Sequence, residues 1–371
     1  MKKAVLITGH YWKSKRRAGF HWLADAYERL GWEVLFFTAP LSWLSWLRRD
    51  YRLTYPELWR ERNQLVRVRT RLWSFIWFTP FHPANMRSSL LNRLSYPLFS
   101  RYSSLSLGEA EEFVKKADLF VFESTPGLLL FERLRRLNGS ARFVYRVSDD
   151  LRLLRNHPVV LEAEAIALPS FDLVSVPSPY FKRLFLKHDN LKVHPHAIRK
   201  DVFDCDYPNP YIDKSGPHIV FVGISYFDTK FLEIASRLFP AWTFHVIGPI
   251  PGLPQRPNII AYGEMPFLET VPFIKYADVG LAAWSYRPGA ESLSDSLKII
   301  QYTYCQLPIV APAFLKSERP NIIPYEPGNP DSIRRALESA VAMDRCLISR
   351  EGIWSWEELA TLLCGGTNSA G

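Results

Sequence analysis

A single aspartate, Asp149, has the chemistry and the position of a general base. It follows the apolar run Phe143-Val-Tyr-Arg-Val147 and stands in the sequence Ser148-Asp149-Asp150. In a doubly wound sheet the carboxyl ends of the strands face the ligand, so a carboxylate placed there can take a proton from an attacking hydroxyl. The same Ser-Asp-Asp run is also typical of a helix N-cap. From these residues alone, general base and cap are equally good interpretations of Asp149.

A second group of polar residues opens the helix predicted at residues 296–306. Ser294, Asp295 and Ser296 stand at its start, and Lys298 lies in its first turn. The free N–H groups and the positive dipole end at a helix N-terminus suit a diphosphate, and a lysine adds a full positive charge. A plain capped surface helix is the alternative.

Weaker candidates lie at three other strand ends. Gly223 in Phe221-Val-Gly-Ile-Ser-Tyr-Phe-Asp228 follows a strand, so a ligand can approach its backbone closely. Glu264 follows the strand predicted at residues 259–261 and can hold ribose hydroxyls. The first loop has neither GxxxxGK[ST] nor GxGxxG, so neither a Walker loop nor an NAD site is predicted. Its basic cluster can receive an anionic acceptor: Lys13, Lys15, Arg16 and Arg17.

No metal and no organic cofactor are predicted. The histidines show no HxxxH spacing, and the adjacent Asp149 and Asp150 do not form a spaced DxD motif. Asp204 and Asp206 lie at a predicted linker, where we expect them to be solvated. The four cysteines are scattered without a CxxC pair, which argues against zinc and against a disulfide framework and suits a reducing cytoplasm: Cys205, Cys305, Cys346 and Cys364.

The order of apolar runs and helical segments predicts an α/β protein. Runs rich in Val, Ile and Phe alternate with helical segments, which is typical of parallel sheets covered on both faces. The Pro- and Gly-containing stretch 205–217 interrupts this alternation and predicts a linker. We therefore predict two doubly wound, Rossmann-like domains that face a cleft, at residues 1–204 and 218–345. The last segment, 346–371, contains a helix for which a return to the first domain is one arrangement.

Positive charge is concentrated in the first third of the chain. Residues 1–105 contain 18 lysines and arginines against 6 aspartates and glutamates, whereas the whole chain contains 46 against 37. Such an excess attracts a polyanion. The candidates are a nucleic acid, an anionic membrane and a phosphorylated substrate.

The segment 41–104 breaks the α/β alternation with interleaved aromatic residues and arginines. Trp43, Trp46, Arg48 and Arg49 illustrate the pattern, which indicates reversible docking on an anionic membrane. An irregular insertion with its aromatic residues in the core is the alternative. The composition also suits single-stranded nucleic acid, but no nucleic-acid motif accompanies it, so no nucleic-acid partner is predicted. No uncharged apolar run is long enough to span a bilayer, and the short apolar N-terminus suits a buried strand better than a signal peptide.

Seven short motifs follow one another in an order typical of one known family. With them the chain resembles the GumK-like glucuronosyltransferases, the inverting GT-B enzymes of xanthan-type exopolysaccharide assembly. The motifs are Lys15-Arg-Arg-Ala18 with His21, Asp118-Leu-Phe-Val-Phe-Glu-Ser124, Phe143-Val-Tyr-Arg-Val-Ser-Asp149, Val222-Gly with Phe227-Asp228, Phe244-His-Val-Ile-Gly248, Tyr262-Gly-Glu-Met265 and Ser296-Leu-Lys-Ile-Ile-Gln-Tyr302.

The resemblance implies a role for individual residues. Asp149 matches the catalytic base, and the first loop with Lys15, Arg16, Arg17 and His21 is expected to face the acceptor. This chain departs from the family at Ser225 and Leu297, where the family has methionine, and at Trp284, where it has tyrosine; the hinge run at 195–199 lacks the family's aspartate. The donor-binding set that the resemblance implies is Ser225, Asp228, Glu264, Trp284, Ser296, Leu297, Lys298 and Gln301.

The expected function is an inverting transfer of a sugar from UDP to a polyprenyl-diphosphate-linked oligosaccharide, on the inner face of the cytoplasmic membrane. Glucuronic acid is the favoured sugar, and the resemblance implies no metal. Asp149 would deprotonate the acceptor hydroxyl, while the helix start at residues 296–298 would stabilise the leaving UDP. Three alternatives stay open: a neutral UDP-sugar donor, a UDP-sugar epimerase on the same fold, and a non-catalytic module that binds polyanions or membranes.

Overall fold

The chain forms two compact units, each with its own sheet. The computed structural model describes residues 1–14, 17–185, 188–211, 216–223 and 226–366. Unit 1 comprises Met1–His194 and Trp356–Gly371, and unit 2 comprises Pro195–Ser355. Every helix within the described ranges is too short or too polar to cross a bilayer.

Eight strands form the sheet of unit 1. They are β1 Lys3–Thr8, β2 Glu33–Ser42, β3 Leu65–Arg69, β4 Leu72–Thr79, β5 Leu119–Glu123, β6 Arg142–Arg146, β7 Leu173–Val176 and β8 Leu191–Val193. Their order is β3-β4-β2-β1-β5-β6-β7-β8, and β3 with β4 is the antiparallel pair in an otherwise parallel sheet. The central strands β1, β5 and β6 are almost entirely buried because helices cover both faces, which explains their unbroken apolar sequences.

Helices connect these strands and cover the sheet of unit 1. They are α1 Gly19–Arg29, α2 Trp43–Leu47, α3 Pro56–Glu61, α4 Ser89–Phe99, α5 Glu111–Lys115, α6 Phe131–Leu137, α7 Pro158–Ala167 and α8 Pro179–Leu184.

Unit 2 repeats the same plan with six strands. The strands are β9 His218–Val222, β10 Thr243–Ile247, β11 Ile259–Gly263, β12 Val279–Leu281, β13 Ile309–Pro312 and β14 Ile322–Tyr325, and the helices are α9 Lys200–Asp204, α10 Thr229–Leu238, α11 Phe267–Tyr276, α12 Leu297–Tyr304 and α13 Pro330–Ala342. The sheet order is β11-β10-β9-β12-β13-β14, with all pairs parallel.

In both sheets the chain builds one half outward from the first strand and then returns to build the other half. The order reverses between β1 and β5 in unit 1 and between β9 and β12 in unit 2. Such a reversal leaves a crevice at the carboxyl ends of the two strands, and ligands of doubly wound proteins bind there.

The last helix, α14 at Trp356–Leu363, belongs to unit 1 although it follows unit 2 in sequence. It packs against α1 with its apolar residues buried, and the Tyr27 hydroxyl donates a hydrogen bond to the Ala360 carbonyl at 3.1 Å. The sequence left open whether this last helix returns to the first domain, and the structure places it in unit 1.

The unit boundary differs from the predicted linker. Unit 2 begins at Pro195, before the predicted boundary at residue 204, and the described residues of 205–217 lie inside it. Tyr211 is buried there: its ring stacks on His218, and its hydroxyl donates to the Phe273 carbonyl at 2.7 Å. The stretch has no helix or strand after α9 where the structure describes it, but Tyr211 within it is packed in unit 2.

The segment 41–104 also differs from its description as an insertion. Strands β3 and β4 extend the sheet, and Trp77 is fully buried in the core of unit 1. Trp43 and Trp46, in contrast, are exposed. The aromatic residues therefore divide between the core and the surface: the buried ones agree with the core interpretation, and membrane docking stays a prediction for the exposed ones.

Candidate active site

The carboxyl end of the unit 1 sheet opens on a cavity of about 640 Å³. The cavity wall contains the turn after β1, the end of β5 and the segment after β6, so it lies at the reversal of strand order. Its lining includes the polar residues His10, Arg49, Arg52, Glu123, Asp149 and Asn156.

The two adjacent aspartates after β6 have different surroundings. Asp150 is buried, accepts a hydrogen bond from the Arg152 backbone N–H at 3.0 Å and forms an ion pair with the Arg152 guanidinium at 2.7 Å. Asp149 is exposed and lines the cavity. The next helix, α7, is capped by His157 rather than by either aspartate. The turn-forming chemistry therefore belongs to Asp150, and Asp149 has the surroundings of a general base.

Ser124 fixes the segment that carries Asp149. It directly follows β5, and its hydroxyl oxygen accepts hydrogen bonds from the backbone N–H groups of Ser148 at 3.0 Å and Asp149 at 3.4 Å. The neighbouring strand thus holds the backbone at the end of β6 in place, which is the positioning that a proton acceptor needs.

Glu123 and His10 form a second polar pair in the same cavity. Glu123 is buried, accepts hydrogen bonds from the Thr8 hydroxyl and from the Gly9 N–H at 3.0 Å, and lies 3.3 Å from His10 Nε2. Burial alone would raise the pKa of Glu123, but the charge of His10 and these hydrogen bonds hold it below its usual value. Burial alone would lower the pKa of His10, but Glu123 raises it above its usual value, and Asp149 acts in the same direction. The pair therefore places an imidazole with a raised pKa in the same cavity as Asp149.

The predicted anion-binding loop after β1 is only partly described. Lys15 and Arg16 lie outside the described residues. Arg17 forms an ion pair with Asp25 and lies over the Trp12 ring at 4.8 Å, so its charge is engaged within unit 1.

His21 is a core residue, which corrects its predicted contact with the acceptor. It is fully buried, and its Nδ1 accepts a hydrogen bond from the Ala18 N–H at 3.0 Å. Its Nε2 lies 3.0 Å from the Tyr11 carbonyl. Burial lowers the pKa of His21 to about 4, so the ring is neutral and serves as a cap of α1 rather than as an anion ligand.

In unit 2 the reversal brings together the ends of β9 and β12 and the start of α12. The Lys298 Nζ lies 3.4 Å from the centre of the Phe221 ring and 4.9 Å from that of the buried Trp284. Within the described ranges, no carboxylate pairs with this ammonium. Burial lowers the pKa of Lys298 well below its usual value. A Cβ on Gly223 would lie only 2.8 Å from Lys298 Nζ, so a side chain at position 223 would displace the lysine amine.

The start of α12 carries the other predicted donor residues. The Ser296 hydroxyl is buried, and none of the described residues forms a hydrogen bond with it. Ser296 precedes the helix without capping it through its side chain. Leu297 packs against the core, and Gln301 is buried one turn further along. The Ser296 hydroxyl, the Lys298 amine and the N-terminus of α12 together form a site suited to a diphosphate.

The remaining donor predictions have different outcomes. Asp228 is buried and caps α10, because its Oδ1 accepts hydrogen bonds from the N–H groups of Lys230 at 3.1 Å and Phe231 at 3.2 Å. This corrects its role from ligand contact to support of the loop. Glu264 is exposed just after Gly263 at the end of β11, and Ser225 lies outside the described residues.

Three residues of these sites were not predicted from the sequence: His10 and Glu123 in unit 1, and Arg287 in unit 2. His10 and Glu123 lie at or just after the ends of β1 and β5, and only the strand order shows that these two ends are neighbours. Arg287 follows β12 in a loop whose contact with the loop after β9 has no signal in the sequence.

Two doubly wound units with polar groups at each reversal define the GT-B class of glycosyltransferases. Sucrose-phosphate synthase from Thermosynechococcus elongatus has the same fold, with a TM-score of 0.58, 14% sequence identity, and coverage of 98% of this chain and 95% of that one. The HepE protein of Anabaena, solved in complex with UDP and glucose, gives a TM-score of 0.59 with 12% identity over 98% of this chain and 95% of that one.

Sequence comparison assigns the chain within this class. The N-terminal domain of glucuronosyltransferase GumK, as a family, matches residues 6–177. The UDP-glucuronate:glycolipid 2-beta-glucuronosyltransferase of Xanthomonas campestris pv. campestris is 30% identical over 346 residues, which cover 92% of this chain and 84% of the relative. The chain belongs to the GumK glucuronosyltransferase family and is a glycosyltransferase.

Proposed function

We propose that this enzyme transfers glucuronic acid from UDP-glucuronate to a lipid-linked oligosaccharide, with inversion at the anomeric carbon and without a metal. The observation that carries the proposal is Lys298, whose ammonium lies beside the N-terminus of α12 with no acidic partner among the described residues. A partly buried cation in that state is stabilised by an anionic ligand. The relative's substrates, UDP-glucuronate and a glycolipid, supply the chemistry that fits it.

In the proposed reaction Asp149 accepts the proton of the acceptor hydroxyl as its oxygen attacks the anomeric carbon. The bond between that carbon and the UDP oxygen breaks, and UDP leaves with the electron pair. Lys298 and the dipole of α12 stabilise the charge that develops on the diphosphate. The His10 ring, whose pKa Glu123 raises, lines the same cavity, and in its protonated form it favours the ionised form of Asp149 before the proton transfer.

UDP release from a panel of UDP-sugars, with lipid extract as acceptor, tests this function. We expect turnover with UDP-glucuronate, and we expect Asp149→Asn to lower kcat by about 10²–10⁴-fold while the Kd for UDP stays unchanged. Glu132→Gln, at an exposed acid on α6, is the matched control. Turnover with a neutral UDP-sugar alone would preserve the mechanism and exclude glucuronate. An Asp149→Asn variant with wild-type kcat would remove the proposed base.

We also propose that unit 1 docks on the anionic inner face of the cytoplasmic membrane, where a polyprenyl-diphosphate-linked acceptor would lie. Leu90, Leu91, Leu94 and Leu98 form an exposed apolar stripe on α4, and Leu94 is 67% exposed. On α2, Trp43, Trp46 and Leu47 are exposed as well. Arg48, which follows α2, donates to the carbonyl of Asn85, four residues before α4, so the segments next to the two helices are in contact. Exposed arginines flank them: Arg48, Arg49, Arg87 and Arg93.

Vesicle flotation tests the docking surface. We expect the wild type to float with vesicles that contain anionic lipid and much less with zwitterionic vesicles, because each arginine near an anionic surface contributes about 1 kcal/mol. Leu94→Glu should lower the bound fraction severalfold without changing the melting temperature. Leu347→Glu, at an 82% exposed leucine of unit 2, is the matched control. Equal flotation of Leu94→Glu and wild type would locate the membrane contact elsewhere.

A further inference from the structure

Arg287 is a second cation at the ligand end of the unit 2 sheet. Its guanidinium carbon lies 3.5 Å from the centre of the Tyr226 ring, close enough for a cation–π stack. The Arg287 Nε is buried, and no hydrogen-bond partner for it occurs among the residues that the structure describes. No acid within the described ranges pairs with Arg287 either. The arginine is therefore oriented by an aromatic ring but is not neutralised.

Arg287 and Lys298 flank the same short pair of chain segments. Phe227 and Trp284 form an antiparallel bridge, and the Ser285 N–H donates to the Tyr226 carbonyl at 2.8 Å. Lys298 lies over Trp284, and Arg287 lies over Tyr226, the neighbour of Phe227 in sequence. Arg287 thus lies in the loop after β12, and Lys298 lies in the first turn of α12, the helix to which this loop leads, beside the reversal of strand order.

Two of the three acids in the loops after β9 and β12 are engaged elsewhere, and the third, Glu291, forms an ion pair with neither cation among the described residues. Asp228 caps α10 through two backbone N–H groups. Asp295 forms an ion pair with Arg319, whose Nε lies 2.6 Å from its Oδ1. Two basic side chains that form no ion pair among the described residues match a ligand that carries two separate anionic groups.

We propose that Arg287 binds the carboxylate of the uronic acid in the donor and thereby selects it over a neutral hexose. This inference rests on the proposed function and deepens it. Lys298, the Ser296 hydroxyl and the N-terminus of α12 form a compact group suited to the diphosphate. The planar guanidinium matches a carboxylate in bidentate geometry, whereas a lysine acts as a point charge. Stacking on Tyr226 fixes the plane of the guanidinium before the donor binds, which lowers the entropic cost of binding.

Calorimetric titration with UDP, UDP-glucose and UDP-glucuronate separates the two cations. We expect Arg287→Gln to weaken UDP-glucuronate binding about 10–100-fold and to change the Kd for UDP and UDP-glucose by less than about 2-fold. Lys298→Gln should weaken all three ligands. Arg334→Gln, at an exposed arginine on α13, is the matched control and should change none. An unchanged Kd for UDP also shows that Arg287→Gln is folded.

The outcomes that overturn the inference differ from those that overturn the function. If Arg287→Gln weakens all three ligands equally, Arg287 serves the diphosphate or the loop and not the carboxylate. If it weakens none, Arg287 does not contact the donor. A wild type that binds UDP-glucose and UDP-glucuronate equally well also overturns the selection by Arg287 while the transferase function stands. If the wild type binds no UDP-sugar, the proposed function itself fails, and the inference fails with it.

Discussion

Burial favours the neutral form of the Lys298 amine, whereas an anionic ligand beside it favours the ammonium. Burial against Phe221 and Trp284 lowers its pKa well below the usual value, and a bound diphosphate would raise it again. Between these two pKa values the complex holds one proton more than the free enzyme does. We therefore predict that binding of a UDP-sugar takes up as much as about one proton and weakens as the pH rises through this range.

Calorimetry in buffers of different ionisation enthalpy measures the proton uptake. A UDP-sugar is the suitable ligand, because its diphosphate has no terminal phosphate group that titrates near neutral pH. Lys298→Met, which removes the amine and keeps an unbranched side chain, should abolish the dependence on buffer. A wild type whose binding heat is the same in all buffers would mean that Lys298 is already charged in the free enzyme.

The types of the key residues were predictable, but their surroundings were not. A carboxylate after a buried strand and a lysine in a helix's first turn made Asp149 and Lys298 candidates from the sequence alone, and their catalytic and donor-binding roles stay predictions. The same reasoning gave Asp228 and His21, which the fold uses as caps of α10 and α1. The same types of side chain cap helices and bind ligands, and they occur at the same strand and helix ends. Only burial and hydrogen bonds distinguish a capping residue from a ligand-binding one.

Among the elements, the turns after β9 and β10 are the most tightly packed part of the donor site. Gly248 has a φ of +139°, and a Cβ there would lie 1.8 Å from the carbonyl oxygen of Gly223. The obstacle is backbone, so the turn beside Lys298 would have to move. We predict that Gly248→Ala destabilises unit 2 by about 2–4 kcal/mol and weakens UDP binding.

Chemical denaturation of two glycine variants tests this packing. Gly252 also has a positive φ, +69°, but no atom lies within 4 Å of the position of its Cβ. Gly252→Ala should therefore lower the free energy of unfolding by about 1–2 kcal/mol, the cost of a positive φ in alanine, and leave UDP affinity unchanged. Equal losses in the two variants would show that backbone conformation alone, and not the contact with Gly223, determines the stability of the turn.

Element prediction succeeded where an apolar run is covered on both faces. The apolar runs predict strands at residues 119–123, 218–222 and 243–247. These are the bounds of β5, β9 and β10, because each run is apolar and ends at turn residues. In β3, which has the sequence Leu-Val-Arg-Val-Arg, partly buried positions lie next to exposed arginines at an antiparallel edge, so the composition resembles that of a surface segment. The sequence did not predict helix α4. The apolar face of an amphipathic helix usually packs against a core, but the leucines of α4 are exposed.

At the scale of the whole molecule, the chain leaves unit 1, builds unit 2 and returns to complete unit 1 with α14. Leu359 and Leu363 are fully buried in this helix. The Arg142 Nε donates to the Leu363 carbonyl at 3.0 Å, and Arg29 forms an ion pair with Glu357 at 2.7 Å. A segment that contributes core side chains and helix contacts to a unit also contributes to the stability of that unit.

Leu359→Ala should therefore destabilise unit 1 by about 2–5 kcal/mol, the usual cost of a cavity in a core, although residue 359 follows all of unit 2 in sequence. Hydrogen exchange followed by mass spectrometry resolves the effect by segment. We expect protection to fall in α1 and β1 and to stay unchanged in β9 and β10, since α14 packs against α1. Leu347→Ala, at an exposed leucine of unit 2, should change neither. Equal loss of protection in both sheets would instead mean that the two units unfold as one cooperative body, and that α14 stabilises the whole chain.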